Sequence, residues 1–157
     1  MITGIRSALI CSEVRRNGQT SDYIGVWGDP LVPATTPGVL SFWVAVQVSL
    51  DEKATSGQLR VYGPDVDRTV PFNVEAGWRV CDISSPFIIP ILSEGALTVA
   101  VIDDKAPGKP FRAKWSLMFH PGAPSLNEAE MRTAAANGDV VAAELMAAMA
   151  RKRVSGS

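Results

Sequence analysis

The chain has 157 residues, with 15 lysines and arginines against 16 aspartates and glutamates, which gives a formal net charge of −1 at pH 7. A chain of this length buries roughly 68–70% of its extended surface when it folds as one domain, so it needs no metal or disulfide staple. The basic residues are scattered and form no stripe, which argues against broad contact with nucleic-acid phosphates.

The first two apolar runs, at residues 6–13 and 22–27, alternate with polar residues as half-buried strands do. The segment between them contains Asn17-Gly18, the dipeptide that most strongly indicates a tight hairpin turn. We therefore expect a β-hairpin at the start of the sheet. Prolines and glycines from 28 to 38 then predict a long, exposed and irregular loop.

The clearest strand lies at residues 40–50, where apolar and other side chains alternate without interruption. Six apolar side chains share one face, and a slip of one residue would expose all of them. This pattern predicts a central strand. The six are Leu40, Phe42, Val44, Val46, Val48 and Leu50.

Six further apolar runs follow, separated by turn residues. Pro71 predicts an edge strand or bulge, and Ser84-Ser85-Pro86 predicts a break between two strands. About eight or nine short antiparallel strands at regular spacing are typical of a mainly β protein. We expect an antiparallel β-sandwich domain over residues 1–120, with a barrel as the alternative closure. The later runs are 58–62, 70–74, 78–83, 87–92, 97–102 and 111–119.

Residues 121–157 change to a proline-containing linker followed by an alanine-rich helical pattern. Residues 125–128, Ser-Leu-Asn-Glu, fit a capping box and predict that a helix begins there. Residues 137–139, Asn-Gly-Asp, combine a helix stop with a new N-cap. The sequence therefore predicts a C-terminal α-helical hairpin, with helices at 126–136 and 140–152, that is not an independent domain.

The second predicted helix carries an apolar stripe of Val141, Leu145, Met146 and Met149. An amphipathic helix must bury such a stripe. One interpretation is that it docks on a sheet of the same subunit. The other is that it forms an interaction surface for a protein partner or a second copy of the chain, for which adaptable methionines are suited.

Catalytic residue types do not form a recognisable constellation. His120 is the only histidine, and no Gly-x-Ser-x-Gly elbow is present. Cys11 and Cys81 lie in apolar runs typical of buried free thiols, with a disulfide as the alternative. One histidine and two separated cysteines lack zinc-ligand spacing, and no phosphate-binding glycine motif occurs. We therefore expect no enzyme activity, no catalytic residues, no cofactor and no metal.

These exclusions favour a non-enzymatic interaction or structural module that self-associates through the C-terminal helices. The alternative is a ligand-binding β-sandwich for carbohydrate or calcium. For carbohydrate, Trp43 and Tyr62 are the candidate stacking residues, with Tyr23 as a third. For calcium, two turns supply carboxylates. The carboxylates are Asp65, Asp67, Asp103 and Asp104.

The chain contains no secretory signal pattern and no run of about 18 apolar residues. We expect no membrane partner and a cytoplasmic location. The terminal cations Arg151, Lys152 and Arg153 suit a helix C-terminus, where they stabilise the end of the dipole.

Residues 11–14, Cys-Ser-Glu-Val, lead through Asn17-Gly18 to residues 23–28, Tyr-Ile-Gly-Val-Trp-Gly. This opening resembles the start of a family of small uncharacterised bacterial β-sandwich proteins, and the likeness covers the first fifth of the chain. The resemblance implies a sandwich fold and a bacterial or phage origin, with no activity to transfer. Residues 133–140 also resemble the inter-helix turn of an ankyrin repeat, although no second copy follows and a repeat array is excluded.

Overall fold

The computed structural model describes residues 1–18 and 20–156. Within this part of the chain, eight strands are followed by two helices, α1 (Glu128–Ala136) and α2 (Val140–Ser155). The strands are β1 (Ile2–Asn17), β2 (Thr20–Val26), β3 (Gly38–Leu50), β4 (Thr55–Tyr62), β5 (Asp67–Val74), β6 (Val80–Ile91), β7 (Gly95–Asp103) and β8 (Phe111–Leu117).

The strands form two four-stranded sheets, and every strand pair is antiparallel. The first sheet has the order β2-β1-β3-β6, and the second has the order β5-β4-β7-β8. The predicted antiparallel sandwich with a C-terminal helical hairpin is therefore confirmed. The barrel alternative is wrong because the two sheets remain separate.

The core lies between the sheets and is built by alternation along each strand. All six apolar residues predicted for one face of the central strand are buried, and Val44 and Val48 are completely so. The second sheet contributes Leu59, Val61 and Val99 with no exposed surface. The β3 strand lies between β1 and β6, so its prediction as a central strand is confirmed.

One local prediction is wrong, and a second holds only in part. The expected break at residues 84–86 is absent, since β6 runs through it with Pro86 opposite Trp43. An edge strand tolerates proline because its outer N–H groups have no ladder partner. In the loop predicted to be exposed, Leu31 is buried, and its N–H donates to the Ser116 carbonyl at 2.8 Å.

The β1–β2 hairpin is folded over the outer face of the first sheet. Beyond Cys11, β1 leaves β3 and pairs with β2 alone. Arg16 then reaches the Ser84 hydroxyl on β6 at 3.5 Å, although β3 separates β1 from β6 in the sheet. Burial raises the pKa of the Tyr23 phenol, and the Asp82 carboxylate on β6 raises it further. The hairpin therefore crosses the sheet and covers Cys11, which is completely buried.

The α1 helix begins at a different N-cap from the one suggested by the capping box. Asn127 caps α1 by accepting from the Glu130 N–H at 3.1 Å. Ser125 instead takes part in a parallel bridge with Thr36, which holds the linker in an extended form, so the predicted start at 126 is wrong. Asp139 caps α2 as predicted, accepting from the Val141 N–H at 3.0 Å. The α2 helix extends three residues beyond the predicted end.

Candidate functional site

The only histidine makes a local contact in the turn after β8. His120 is exposed, and its Nδ1 accepts a hydrogen bond from the Gly122 N–H at 3.0 Å. Within residues 1–18 and 20–156, no serine, cysteine or carboxylate forms a hydrogen bond with its ring. The hydrogen bond that the ring makes is therefore local to the turn after β8.

The two acidic turns considered for calcium lie at opposite ends of β4. Asp67 pairs with Tyr62 at one end of the strand, whereas Asp103 pairs with Gly57 at the other. Asp67 also accepts two hydrogen bonds from Arg60. A single calcium site built from both turns is therefore wrong. Among the described residues, no group of three or more His, Cys, Asp or Glu side chains is arranged to hold a metal ion.

The two aromatic residues predicted to stack on a ligand lie on opposite outer faces of the sandwich. Trp43 follows the inward-facing Phe42 in the first sheet, and Tyr62 follows the inward-facing Val61 in the second. Both side chains are half-buried. The guanidinium of Arg60 lies 4.4 Å from the centre of the Tyr62 ring and already covers it. Trp43 and Tyr62 therefore do not form one platform.

Both cysteines are free thiols. Cys11 is buried as predicted, but Cys81 is only half-buried. Burial raises the pKa of the Cys11 thiol. Burial also raises the pKa of Cys81, and the negative charge of Asp82 adds to the effect. Neither thiol has the depressed pKa of a nucleophilic cysteine.

The apolar stripe predicted on α2 is divided between two environments. Leu145 is 2% exposed and packs within the subunit, so it is not available to a partner. Met146 and Met149 are half-buried, and Val141 is 38% exposed. The interpretation that the helix docks on a sheet of the same subunit therefore explains the burial of Leu145.

Charged side chains attach α2 to the rest of the subunit. Glu144 forms an ion pair with Arg68 on β5. Lys152 donates to the Ser93 hydroxyl at 2.7 Å, and its Nζ lies 3.7 Å from the Asp65 carboxylate. Arg153 pairs with Glu128 on α1. Three of the four charged side chains of α2 are thus directed to its own chain.

The opposite side of α2, which faces solvent, carries only apolar side chains over its first three turns. Val140 is 68% exposed, and Ala143, Ala147 and Ala150 are exposed as well. We call these four residues the outer face of α2. Their spacing of three, four and three residues is that of a heptad repeat. Sequence reasoning missed this face because the inner stripe was the more hydrophobic one, although the spacing was readable.

A second unpredicted feature is a cleft between the β1–β2 hairpin and the β5–β6 connection, which we call the hairpin cleft. Its volume is about 730 Å³, and Trp78 on its rim is 60% exposed. The hairpin supplies one wall, and the end of β5 with the start of β6 supplies the other. Its lining residues are Arg16, Gly18, Thr20, Ser21, Asn73, Val74, Glu75, Trp78, Val80, Cys81 and Asp82.

A smaller cleft of about 450 Å³ lies where the edge strands β5 and β6 meet. Phe42, Phe87 and Val70 form part of its wall beside Arg68. The rings of Phe42 and Phe87 are stacked with their centres 6.3 Å apart, and they belong to the core. This cleft is a gap between the sheet edges, beside the ion pair that holds α2.

In the described part of the chain, no helix has both the length and the apolarity to cross a bilayer. A scan against models of known protein families finds no match, and a search of curated protein sequences finds none.

Proposed function

We propose that the protein is a non-enzymatic interaction module that forms a homodimer through the outer face of α2. The observation that supports this is the absence of polar side chains from the solvent side of α2 between Val140 and Ala150. Surface helices ordinarily expose charged or polar residues. The proposal retains self-association through the C-terminal helices. It assigns the contact to the outer face of α2, which lies opposite the buried Leu145.

The side chains on this face suit close packing of two helices. Small residues at heptad positions let two helix backbones approach at the short end of the usual 8–10 Å range. In an antiparallel pair, Val140 of one copy lies level with Ala150 of the other, and Ala143 lies level with Ala147. A two-fold axis between the helices makes the contact self-complementary, as in most homodimers.

The charges at the two ends of α2 favour the antiparallel orientation. Asp139 lies at the N-terminal end, and Arg151, Lys152 and Arg153 lie at the C-terminal end. Arg151 forms no ion pair within residues 1–18 and 20–156. Antiparallel pairing brings the acidic end of each helix toward the basic end of the other and also opposes the helix dipoles favourably. Parallel pairing would place like charges together.

The test is the molar mass of the purified full chain in solution, measured by light scattering and sedimentation equilibrium. We expect a dimer for the natural sequence and a monomer for Ala147→Glu, because the substitution places a carboxylate in the centre of the contact. Glutamate is a good helix former, so α2 itself is retained. Circular dichroism checks that the variant is folded.

Ala34→Glu is the matched control, since Ala34 is exposed in the loop before β3 and lies outside the outer face. It should remain dimeric. A monomeric natural chain at about 1 mM, which is the weak end of specific association, contradicts the proposal. A folded Ala147→Glu variant that dimerises as well as the natural chain contradicts it also.

A further inference from the structure

We propose that the hairpin cleft binds a neutral saccharide, with the indole of Trp78 as the stacking surface. This site is independent of the outer face of α2. It also differs from the candidate site formed by Trp43 and Tyr62, which lie on opposite faces of the sandwich. In the hairpin cleft, the aromatic ring and the polar groups line the same cavity.

The size and shape of the cleft fit a small ligand. Its volume of about 730 Å³ falls within the range of roughly 300–1,000 Å³ typical of small-molecule sites. Two separate parts of the chain form its walls, and the Arg16 to Ser84 hydrogen bond ties the hairpin to β6 across the sheet. The cleft is therefore bounded by the hairpin on one side and by the β5–β6 connection on the other.

The backbone around Trp78 is fixed even though its side chain is exposed. On one side, the Gly77 N–H donates to the Glu52 carbonyl at 2.7 Å. On the other, the Leu50 N–H donates to the Arg79 carbonyl at 2.8 Å, and the Arg79 side chain pairs with Glu52. Trp78 therefore lies in a turn whose two flanking residues, Gly77 and Arg79, are both held by backbone hydrogen bonds. The backbone that carries the indole is therefore preorganised, which lowers the entropic cost of binding, and the exposed ring offers an apolar surface.

The polar groups in the cleft match the hydrogen bonding of a sugar. Arg16 donates, Glu75 and Asp82 accept, and Asn73 does both. Sugar hydroxyls also donate and accept, while the C–H face of a pyranose ring is apolar and stacks on an aromatic ring. One aromatic face with mixed donors and acceptors around it therefore fits a pyranose.

The charges in the cleft select against ionic ligands. Glu75 and Asp82 outnumber Arg16, which disfavours phosphates, sulfated glycans and nucleic acids. A quaternary ammonium ion would also stack on Trp78. However, the guanidinium of Arg16 lies in the same cleft and repels a cation. A neutral polyhydroxylated ligand meets neither obstacle.

The experiment titrates the full chain with cellohexaose, xylohexaose, mannohexaose, maltohexaose and chitohexaose, and with tetramethylammonium as the cationic probe. Binding is followed by calorimetry and by NMR of the indole N–H groups. We expect at least one hexaose to bind, to shift the Trp78 indole resonance, and to bind at least about tenfold more weakly to Trp78→Ala. Because Trp78 is 60% exposed, its removal leaves the core intact.

Trp43→Phe is the matched control, because Trp43 lies outside the cleft, and it should bind as the natural chain does. Ala147→Glu should bind equally well, which separates this site from the proposed dimer. The proposal is overturned if no hexaose binds at about 10 mM, well above the concentrations of specific recognition. It is overturned as well if Trp78→Ala binds normally while folded, or if tetramethylammonium is the only probe that shifts Trp78.

Discussion

Arg68 on β5 and Glu144 on α2 form an ion pair that connects the C-terminal helix to the second sheet. Arg68 lies on the inward-facing side of β5, on the same face as Val70, Phe72 and Val74. The α2 helix also packs against β6, the edge strand of the first sheet. The helix therefore closes the side of the sandwich where the two edge strands meet, and the ion pair links it to β5 there.

We expect this ion pair to contribute modestly to stability. Its side chains are 38% and 29% exposed, so solvent screens much of the attraction. A double-mutant cycle with Arg68→Ala and Glu144→Ala should give a coupling free energy of about 0.5–1 kcal/mol in urea unfolding. The coupling should fall when salt is raised to about 1 M. A coupling of zero at low salt would show that the pair does not hold the helix.

Leu145 makes the larger contribution to docking of α2. Its side chain is almost completely buried, so Leu145→Ala removes apolar contacts and leaves a cavity. We expect the free energy of unfolding to fall by about 2–5 kcal/mol. Val140→Ala on the exposed side of the same helix is the control, and it should cost less than about 1 kcal/mol. Equal effects from the two substitutions would mean that the helix is not docked.

Alternation of apolar side chains made most of the fold predictable. Residues 40–50 predicted a central strand, and Pro71 predicted an edge strand or a bulge, because both rules depend on local backbone geometry. The continuity of β6 through Pro86 was not predictable. Proline is acceptable there only because that strand lies at an edge, which depends on the order of strands in the sheet.

The candidate sites were less accessible to sequence reasoning, since each depends on contacts between distant segments. Trp78 becomes a cleft residue because the hairpin containing Arg16 folds over the sheet toward β6. No local pattern encodes that fold-over. The apolar residues of α2 can be read from the sequence. Which of its two apolar sides turns inward depends on the positions of Arg68 on β5 and of the core beside β6, and these positions are set by the fold.

Asp103 should make stability depend on pH in the acid range. Burial raises the pKa of its carboxyl, but hydrogen bonds from the Ile2 and Lys105 N–H groups and the Thr55 hydroxyl outweigh burial and lower it. A carboxyl with a depressed folded-state pKa stabilises the protein above its unfolded pKa of about 3.9. That contribution is lost as pH falls through the lower folded pKa.

The test compares thermal unfolding of Asp103→Asn with the natural chain from neutral to acid pH. The variant should lose about 1–3 kcal/mol at neutral pH, because its amide group faces N–H donors, and the difference should shrink toward low pH. Asp104→Asn is the control. Asp104 is exposed and accepts from the Ser56 hydroxyl at 2.7 Å, and its substitution should change little. A pH-independent difference for Asp103→Asn contradicts the role assigned to its ionised form.

The two thiols should react with iodoacetamide at very different rates. Cys81 is half-buried in the hairpin cleft with a raised pKa, so its alkylation should be slower than that of a free thiol at pH 8 and should accelerate as pH rises. Cys11 is completely covered and should react only after denaturation. Mass spectrometry of Cys81→Ser identifies the site, and modification of this variant under native conditions would mean that the hairpin opens.

The fold-over of the hairpin should depend on Gly25. This residue has a φ of +65°, a conformation that side chains other than glycine rarely adopt. A Cβ at this position would lie 2.9 Å from the Ser12 hydroxyl oxygen. Gly25→Ala should therefore cost about 1–3 kcal/mol and should displace the hairpin from the sheet. The sign of displacement is faster alkylation of Cys11, because the hairpin covers that thiol.

Gly28→Ala is the matched control, since a Cβ there meets no atom within 4 Å and the backbone does not require glycine. It should leave both stability and Cys11 reactivity unchanged. If Gly25→Ala also behaves like the natural chain, the left-handed backbone conformation at residue 25 does not determine the path of the hairpin. The path of the hairpin beside Trp78 would then depend on the hydrogen bond from the Arg16 side chain to the Ser84 hydroxyl, which joins the hairpin to β6.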